Sequence, residues 1–80
     1  MEKKEILEKL QEIFRDVFDN DEIVVTINTV AEDIDEWDSL GHVQLIKEIQ
    51  TQFSISITAQ EMRSWEDVGE MADAIITKLG

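Results

Sequence analysis

The sequence predicts an all-α fold: an up-and-down bundle of three long helices and one short helix, with a long loop between helices 1 and 2. Three observations lead there. Apolar residues recur at helical spacing in three separate segments. The one run with strand composition, Ile23-Val24-Val25-Thr26-Ile27, has no convincing second strand to pair with. A chain of 80 residues buries roughly two-thirds or less of the surface it exposes when unfolded. That supports one domain over residues 1–80, with a thin core and no deep catalytic cleft.

The first helix is expected from about Glu2 to Phe18. Ile6, Leu7, Leu10, Ile13, Phe14, Val17 and Phe18 fall on one stripe, and Glu5 with Lys9 forms a supportive pair on the wet side. Asp19-Asn20-Asp21 ends it. The connection from Asp19 to Asp38 is read as extended loop. Ile23, Val25 or Ile27, together with Val30, Ile34 and Trp37, are candidates to lie over the helices as a lid. A loop of this length is uncommon in a small domain and is often functional.

The second helix is expected from Ser39 to Phe53. Leu45, Ile46, Ile49 and Phe53 form its core stripe, and Leu40 and Val43 fall outside it, near Lys47. Phe53-Ser54-Ile55-Ser56-Ile57 reads as a short apolar loop. Thr58-Ala59-Gln60-Glu61 has the capping-box pattern and starts a short third helix with Met62 facing inward. Ser64-Trp65-Glu66-Asp67 offers the next N-cap. The last helix then buries Val68, Met71, Ala72, Ile75 and Leu79.

Composition narrows the function classes. Seven basic residues against 19 acidic ones give a net charge of −12, which disfavours nucleic acid and anionic membranes. The absence of cysteine removes disulfides, a thiolate nucleophile and cysteine metal sites. One histidine cannot build a zinc cluster. No apolar run approaches the ~20 residues of a membrane span, and no signal-peptide h-region opens the chain. A cytoplasmic monomer is the expectation.

The residue that organises the rest is Ser39. It sits where a polar linker meets an amphipathic helix, with Asp38 before it and Leu40 after it. Its hydroxyl is placed at the open N-terminal end of a helix, where backbone N–H groups and the helix dipole favour a phosphate. Ser39 is therefore the candidate carrier of a phosphate-linked prosthetic group.

Other chemistry fits less well. A serine nucleophile needs a base and an oxyanion loop. His42, three residues on in the same helix, is the only histidine, and there is no Gly-rich loop. An EF-hand frame from Asp19 or from Asp33 fails at the turn glycine and at the bidentate acid. Loose cation binding by Glu32, Asp33, Asp35, Glu36 and Asp38 stays open.

Asp38-Ser39-Leu40 followed by Val43, Leu45 and Ile46 resembles the phosphopantetheine-attachment motif of acyl carrier proteins. Trp37 is similar to carriers of modular or pathway-specific type. The order and spacing of the helices, the long loop and the Phe53-x-Ile55-x-Ile57 turn extend the resemblance over nearly the whole chain.

The resemblance implies 4'-phosphopantetheine on Ser39, installed by a phosphopantetheinyl transferase. Acyl groups would be held as thioesters and exchanged with acyl-loading and acyl-transferring enzymes. The chain itself would be a carrier and not an enzyme, its reactive sulfur imported with the cofactor. Asp38 would orient the site or meet the transferase-bound metal, or act as a plain N-cap. Leu40, Val43, Gln44 and Lys47 would meet partner enzymes, with core packing against the loop as the alternative for Leu40 and Val43. His42 would line a cavity mouth or be an ordinary surface residue.

The attachment helix departs from the strongly acidic pattern of many fatty-acid carriers. Gln44, Lys47, Glu48, Gln50, Thr51 and Gln52 leave it near neutral, and the acidity lies from Glu32 to Asp38 and in Glu61, Glu66, Asp67 and Glu70. That points to a dedicated lipid, polyketide or other specialised pathway. Peptidyl and D-alanyl carriers, and a plain helical interaction domain in which Ser39 is only a cap, are the alternatives.

Overall fold

The computed structural model describes residues 2–80. Four α-helices follow one another: α1 (Lys3–Val17), α2 (Ser39–Phe53), α3 (Ala59–Ser64) and α4 (Val68–Leu79). The all-α expectation and the span of α2 agree with the structure. α1 is the centre of the packing and touches both α2 and α4. Its stripe is the predicted one, with Ile6, Leu10 and Phe14 completely buried against Leu45, Ile49, Val68, Ala72 and Ile75. Leu7 and Val17 pack on the edge of this core.

The loop between α1 and α2 is extended apart from one 3-10 turn at Ala31–Asp33, which the sequence did not announce. Its strand-like run alternates: Ile23 and Val25 are buried, while Val24 and Ile27 are exposed. Among the described residues no neighbouring strand supplies hydrogen bonds, and side chains of α1 do so instead. Arg15 Nε donates to Ile23 O at 2.8 Å, and Gln11 Oε1 accepts from Val25 N–H at 3.1 Å. An apolar run can therefore lie on a helix that satisfies its Ile23 carbonyl and Val25 N–H. Ile34 is buried and Trp37 packs on the core, so the lid consists of Ile23, Val25, Ile34 and Trp37, and Ile27 is not part of it.

The far end of the loop is tied to α4. Val68 N–H donates to Thr29 O and Gly69 N–H to Ile27 O, both at 2.9 Å. Gly69 is required for this approach, since a Cβ there would lie 2.8 Å from Ile27 O. Asp67 caps the same helix by accepting from Glu70 N–H at 2.9 Å. Of the candidate caps around residues 64–67, Asp67 is the one used. Ser64 instead closes α3, donating to Glu61 O at 2.8 Å.

Two further expectations are corrected. Glu5 and Lys9 do not pair: Glu5 accepts from the Glu2 N–H, and Lys9 reaches Gln52 O and the face of Phe53. Both partners find better-placed backbone groups nearby. Leu79 is 39% exposed, because it lies in the last turn beyond the bundle, and Ile76 takes a place against the core. The capping box at Thr58 and Glu61 forms as predicted, with both bonds at 3.1 Å.

α2 ends at Ser54, which adopts φ 55° and ψ 47°. A residue with a Cβ pays about 1–2 kcal/mol in this left-handed region, so Ser54→Gly is expected to raise stability by about 1 kcal/mol in urea unfolding. Gly41 is the opposite case. A Cβ there would lie 2.6 Å from Glu36 O and 2.9 Å from the Phe18 ring. Gly41→Ala should lower stability by about 1–3 kcal/mol, the usual cost of overpacking, in the same assay.

Candidate functional site

The start of α2 is pressed into the end of the loop. Asp38 caps the helix, its Oδ1 accepting from Gly41 N–H at 2.7 Å. Gly41 lets the helix approach the Glu36 carbonyl and the Phe18 ring. Trp37 stands edge-on to Phe14, with centroids 5.0 Å apart, and Phe14 is edge-on to Phe18 at 5.8 Å. This aromatic row ties Trp37, two residues before Ser39, to the fully buried Phe14 of α1.

Trp37 makes a second link. Its indole N–H donates to His42 Nδ1 at 2.9 Å, and His42 Nε2 lies 2.8 Å from Met62 O on α3. The indole nitrogen can only donate and the carbonyl can only accept. Nδ1 is therefore bare and Nε2 carries the hydrogen, which fixes the neutral tautomer. Sequence reasoning left His42 as either a cavity-mouth residue or an ordinary surface residue. It did not find the chain from Trp37 to Met62, because neither partner's direction is encoded in local spacing.

Ser39 is the first residue of α2 and is exposed. It borders an open groove of about 430 Å³ that also involves Trp37, His42, Met62, Trp65 and Met71. Asp38, Arg63, Glu66 and Asp67 supply charged groups to the same groove. Arg63, Trp65 and Met71 were not picked out from the sequence as site residues; α3 and α4 bring them in.

The helix starts differ in a way that matters here. At α4 the first N–H groups are taken by Thr29 O, Ile27 O and Asp67. At α2, Asp38 takes Gly41 N–H, and among the described residues no acceptor meets Ser39 N–H or Leu40 N–H. Two donors and the positive end of the dipole therefore face solvent beside the Ser39 hydroxyl.

Leu40 is 67% exposed and Val43 is 44% exposed. Neither is among the apolar residues packed on the core. Gln44 and Lys47 are exposed too, and the four share the face of α2 next to Ser39. The acids between Glu32 and Asp38 do not converge. Asp33 accepts from Val30 N–H, Glu36 from Asn20 and Asp38 from Gly41 N–H. No group of three or more potential metal ligands occurs among the described residues. No helix among the described residues is long and apolar enough to cross a membrane.

Residues 8–75 match the family model described as a phosphopantetheine attachment site. The acyl carrier protein of Rubrobacter xylanophilus is 36% identical over 76 residues, covering 95% of this chain and 94% of its own. The chain belongs to the acyl carrier protein family. The solution structure of holo acyl carrier protein from Geobacter metallireducens superposes with a TM-score of 0.85 at 44% identity, over 91% of this chain and 84% of that one.

As a member, this protein is a carrier and not an enzyme, and the prosthetic group of the family is 4'-phosphopantetheine. Such carriers work with a phosphopantetheinyl transferase and with acyl-handling enzymes. The start of α2 fits the group: an exposed hydroxyl, two free backbone donors for a phosphate, and a groove beside them with both apolar and polar walls.

α3 lines the carrier's groove, and its Glu61 pairs with Lys78 of α4 at 2.8 Å. The Lys78 ammonium, followed by the Thr58 N–H, keeps the Glu61 carboxyl below its ordinary value of 4.5. A lowered carboxyl value contributes stability above the ordinary value that is lost as pH falls through the lowered one. Glu61→Gln should therefore weaken amide protection across α3 at neutral pH. That difference from the wild type should vanish well below pH 4.5 in hydrogen-exchange measurements.

Proposed function

We propose that Ser39 is the attachment point of 4'-phosphopantetheine in this carrier. The observation that carries the reading is the open start of α2, where an exposed hydroxyl lies beside two unengaged backbone donors. The other serines are placed differently. Ser54 is a left-handed helix end, Ser56 lies in the loop before α3, and Ser64 donates its hydroxyl to Glu61 O.

In the loading reaction the Ser39 oxygen attacks the pyrophosphate of coenzyme A. A phosphodiester forms, one P–O bond of the pyrophosphate breaks, and adenosine bisphosphate leaves. The transferase supplies the catalysis, and the serine proton passes to its base. Asp38 keeps Ser39 at the first helical position through its bond to Gly41 N–H. Its outer oxygen is then a candidate contact for the transferase-bound metal. The bound arm contributes a thiol that holds an acyl group as a thioester.

The exposed pair Leu40 and Val43, with Gln44 and Lys47, forms the surface on which partner enzymes dock. This face is nearly neutral and apolar at its centre. A partner that steers by positive charge would find little to steer by on it. The support therefore favours a dedicated lipid, polyketide or other specialised pathway over general fatty-acid synthesis.

Intact-mass measurement tests the attachment. The protein and Ser39→Ala are incubated with coenzyme A, magnesium and a broad-specificity phosphopantetheinyl transferase. A gain of one phosphopantetheine by the wild type alone is the expected outcome. A gain by Ser39→Ala would move the site elsewhere. No gain by either protein, with a second transferase also failing, would favour a plain interaction domain.

A further inference from the structure

The carrier's single histidine does not belong to the attachment chemistry, yet it is the most connected polar side chain at the site. Its two ring nitrogens bond in opposite senses, to the loop through Trp37 Nε1–H and to α3 through Met62 O. Trp37 lies two residues before Ser39 and His42 three residues after it. The Trp37–His42 bond therefore closes a short ring of chain around Ser39. The Asp38–Gly41 cap closes a smaller ring inside it. The Met62 bond ties the same turn to the opposite wall of the groove.

We propose that His42 is a positioning residue for loading: in its neutral Nε2–H form it holds Ser39 in place, and protonation at Nδ1 releases the loop side of the site. The inference rests on Ser39 being the attachment point. Its physical basis is an asymmetry. An imidazolium has two donors and no acceptor. The bond to Met62 O survives protonation and strengthens as a charge-assisted bond. The bond from Trp37 does not, because two N–H groups would then face each other across 2.9 Å. The indole must turn away, and it takes with it the residue that anchors Asp38 and Ser39 to Phe14. Histidine is the side-chain type that commonly switches charge near neutral pH, so pH 7.5 and pH 5.5 are the values to compare.

The charged groups that line the same groove as the imidazole are Asp38 at the start of α2, Arg63 on α3, Glu66 between α3 and α4, and Asp67 at the cap of α4. Glu36, from the loop, accepts from Asn20. His42→Gln keeps all of these groups. It also offers one acceptor and one donor in place of the two ring nitrogens, and it does not titrate. His42→Phe fills the space and offers neither.

The test uses the whole chain at pH 7.5 and pH 5.5, with two readouts. Side-chain 15N NMR of the unloaded protein reports the His42 tautomer and the indole N–H signals of both tryptophans. The Nε2–H tautomer is expected at pH 7.5. The Trp37 signal should follow the titration of His42, Trp65 should move less, and Trp37 should stay still in His42→Gln. A Trp37 signal that ignores the titration, or moves equally in His42→Gln, would overturn the proposal.

The second readout is the rate of loading by the transferase, taken as the ratio of wild type to His42→Gln at each pH, so that the transferase's own pH dependence cancels. This ratio is expected to fall by about threefold or more from pH 7.5 to 5.5, the scale of one lost hydrogen bond. His42→Phe should load slowly at both values. A ratio that does not change with pH would overturn the positioning role, even where the spectra follow His42. Failure of every variant to load at any pH, with normal spectra, would instead sink the attachment reading and the role in loading with it.

Discussion

A helix can offer its first N–H groups to a phosphate only if something other than those groups holds that end of the helix still. This constraint organises the structure around Ser39. The end is held from below by Gly41, which allows contact with the Glu36 carbonyl and the Phe18 ring. It is held from the loop side by Trp37, standing on Phe14. It is held laterally by His42, bonded to Trp37 and to Met62 O. The cap Asp38 consumes one donor, at Gly41, and leaves those of Ser39 and Leu40 outward. At α4 the same backbone groups serve a structural end, donating to the loop carbonyls of Thr29 and Ile27. Two helix starts in one small chain thus put equivalent donors to different uses.

The long loop follows from the same arrangement. It has to travel from the end of α1 to the start of α2 and deliver Trp37 onto the core. An isolated extended segment leaves its backbone groups unpaired, and in a sheet a neighbour would satisfy them. Here Gln11 and Arg15 reach up from α1, and the start of α4 reaches across. The loop is therefore part of the folded structure, and its position fixes the floor of the groove. Acid residues along it are used singly, as turn and cap acceptors, which keeps them from forming a cation cluster.

Much of this was legible in the sequence, and the reason is locality. Stripes at helical spacing and the Thr58–Glu61 capping box depend on residues within one or two turns of each other, and both formed as read. The exposure of Leu40 and Val43 followed from the same wheel. What was not legible depends on distant partners. The pairing of Glu5 with Lys9 lost on one side to the Glu2 N–H, which Glu5 accepts, and on the other to the Gln52 carbonyl, which only the folded chain brings to Lys9. Leu79 satisfies the stripe yet lies past the end of the bundle, and Ile27 satisfies the strand composition yet turns outward where its carbonyl meets Gly69. The choice of Asp67 over Ser64 as a cap depended on where α3 would stop. The Trp37–His42–Met62 chain joins three elements, and no spacing rule covers it.

The central claim is that the free donors at the start of α2 receive the phosphate. The most direct measurement is a comparison of backbone amide 1H–15N shifts between the unloaded and loaded carrier at constant pH. The account predicts that the largest changes fall on Ser39 and Leu40, in the direction of stronger hydrogen bonding, while Val68 and Gly69 at the engaged start of α4 stay still. Largest changes elsewhere in the chain, with Ser39 and Leu40 unmoved, would contradict it.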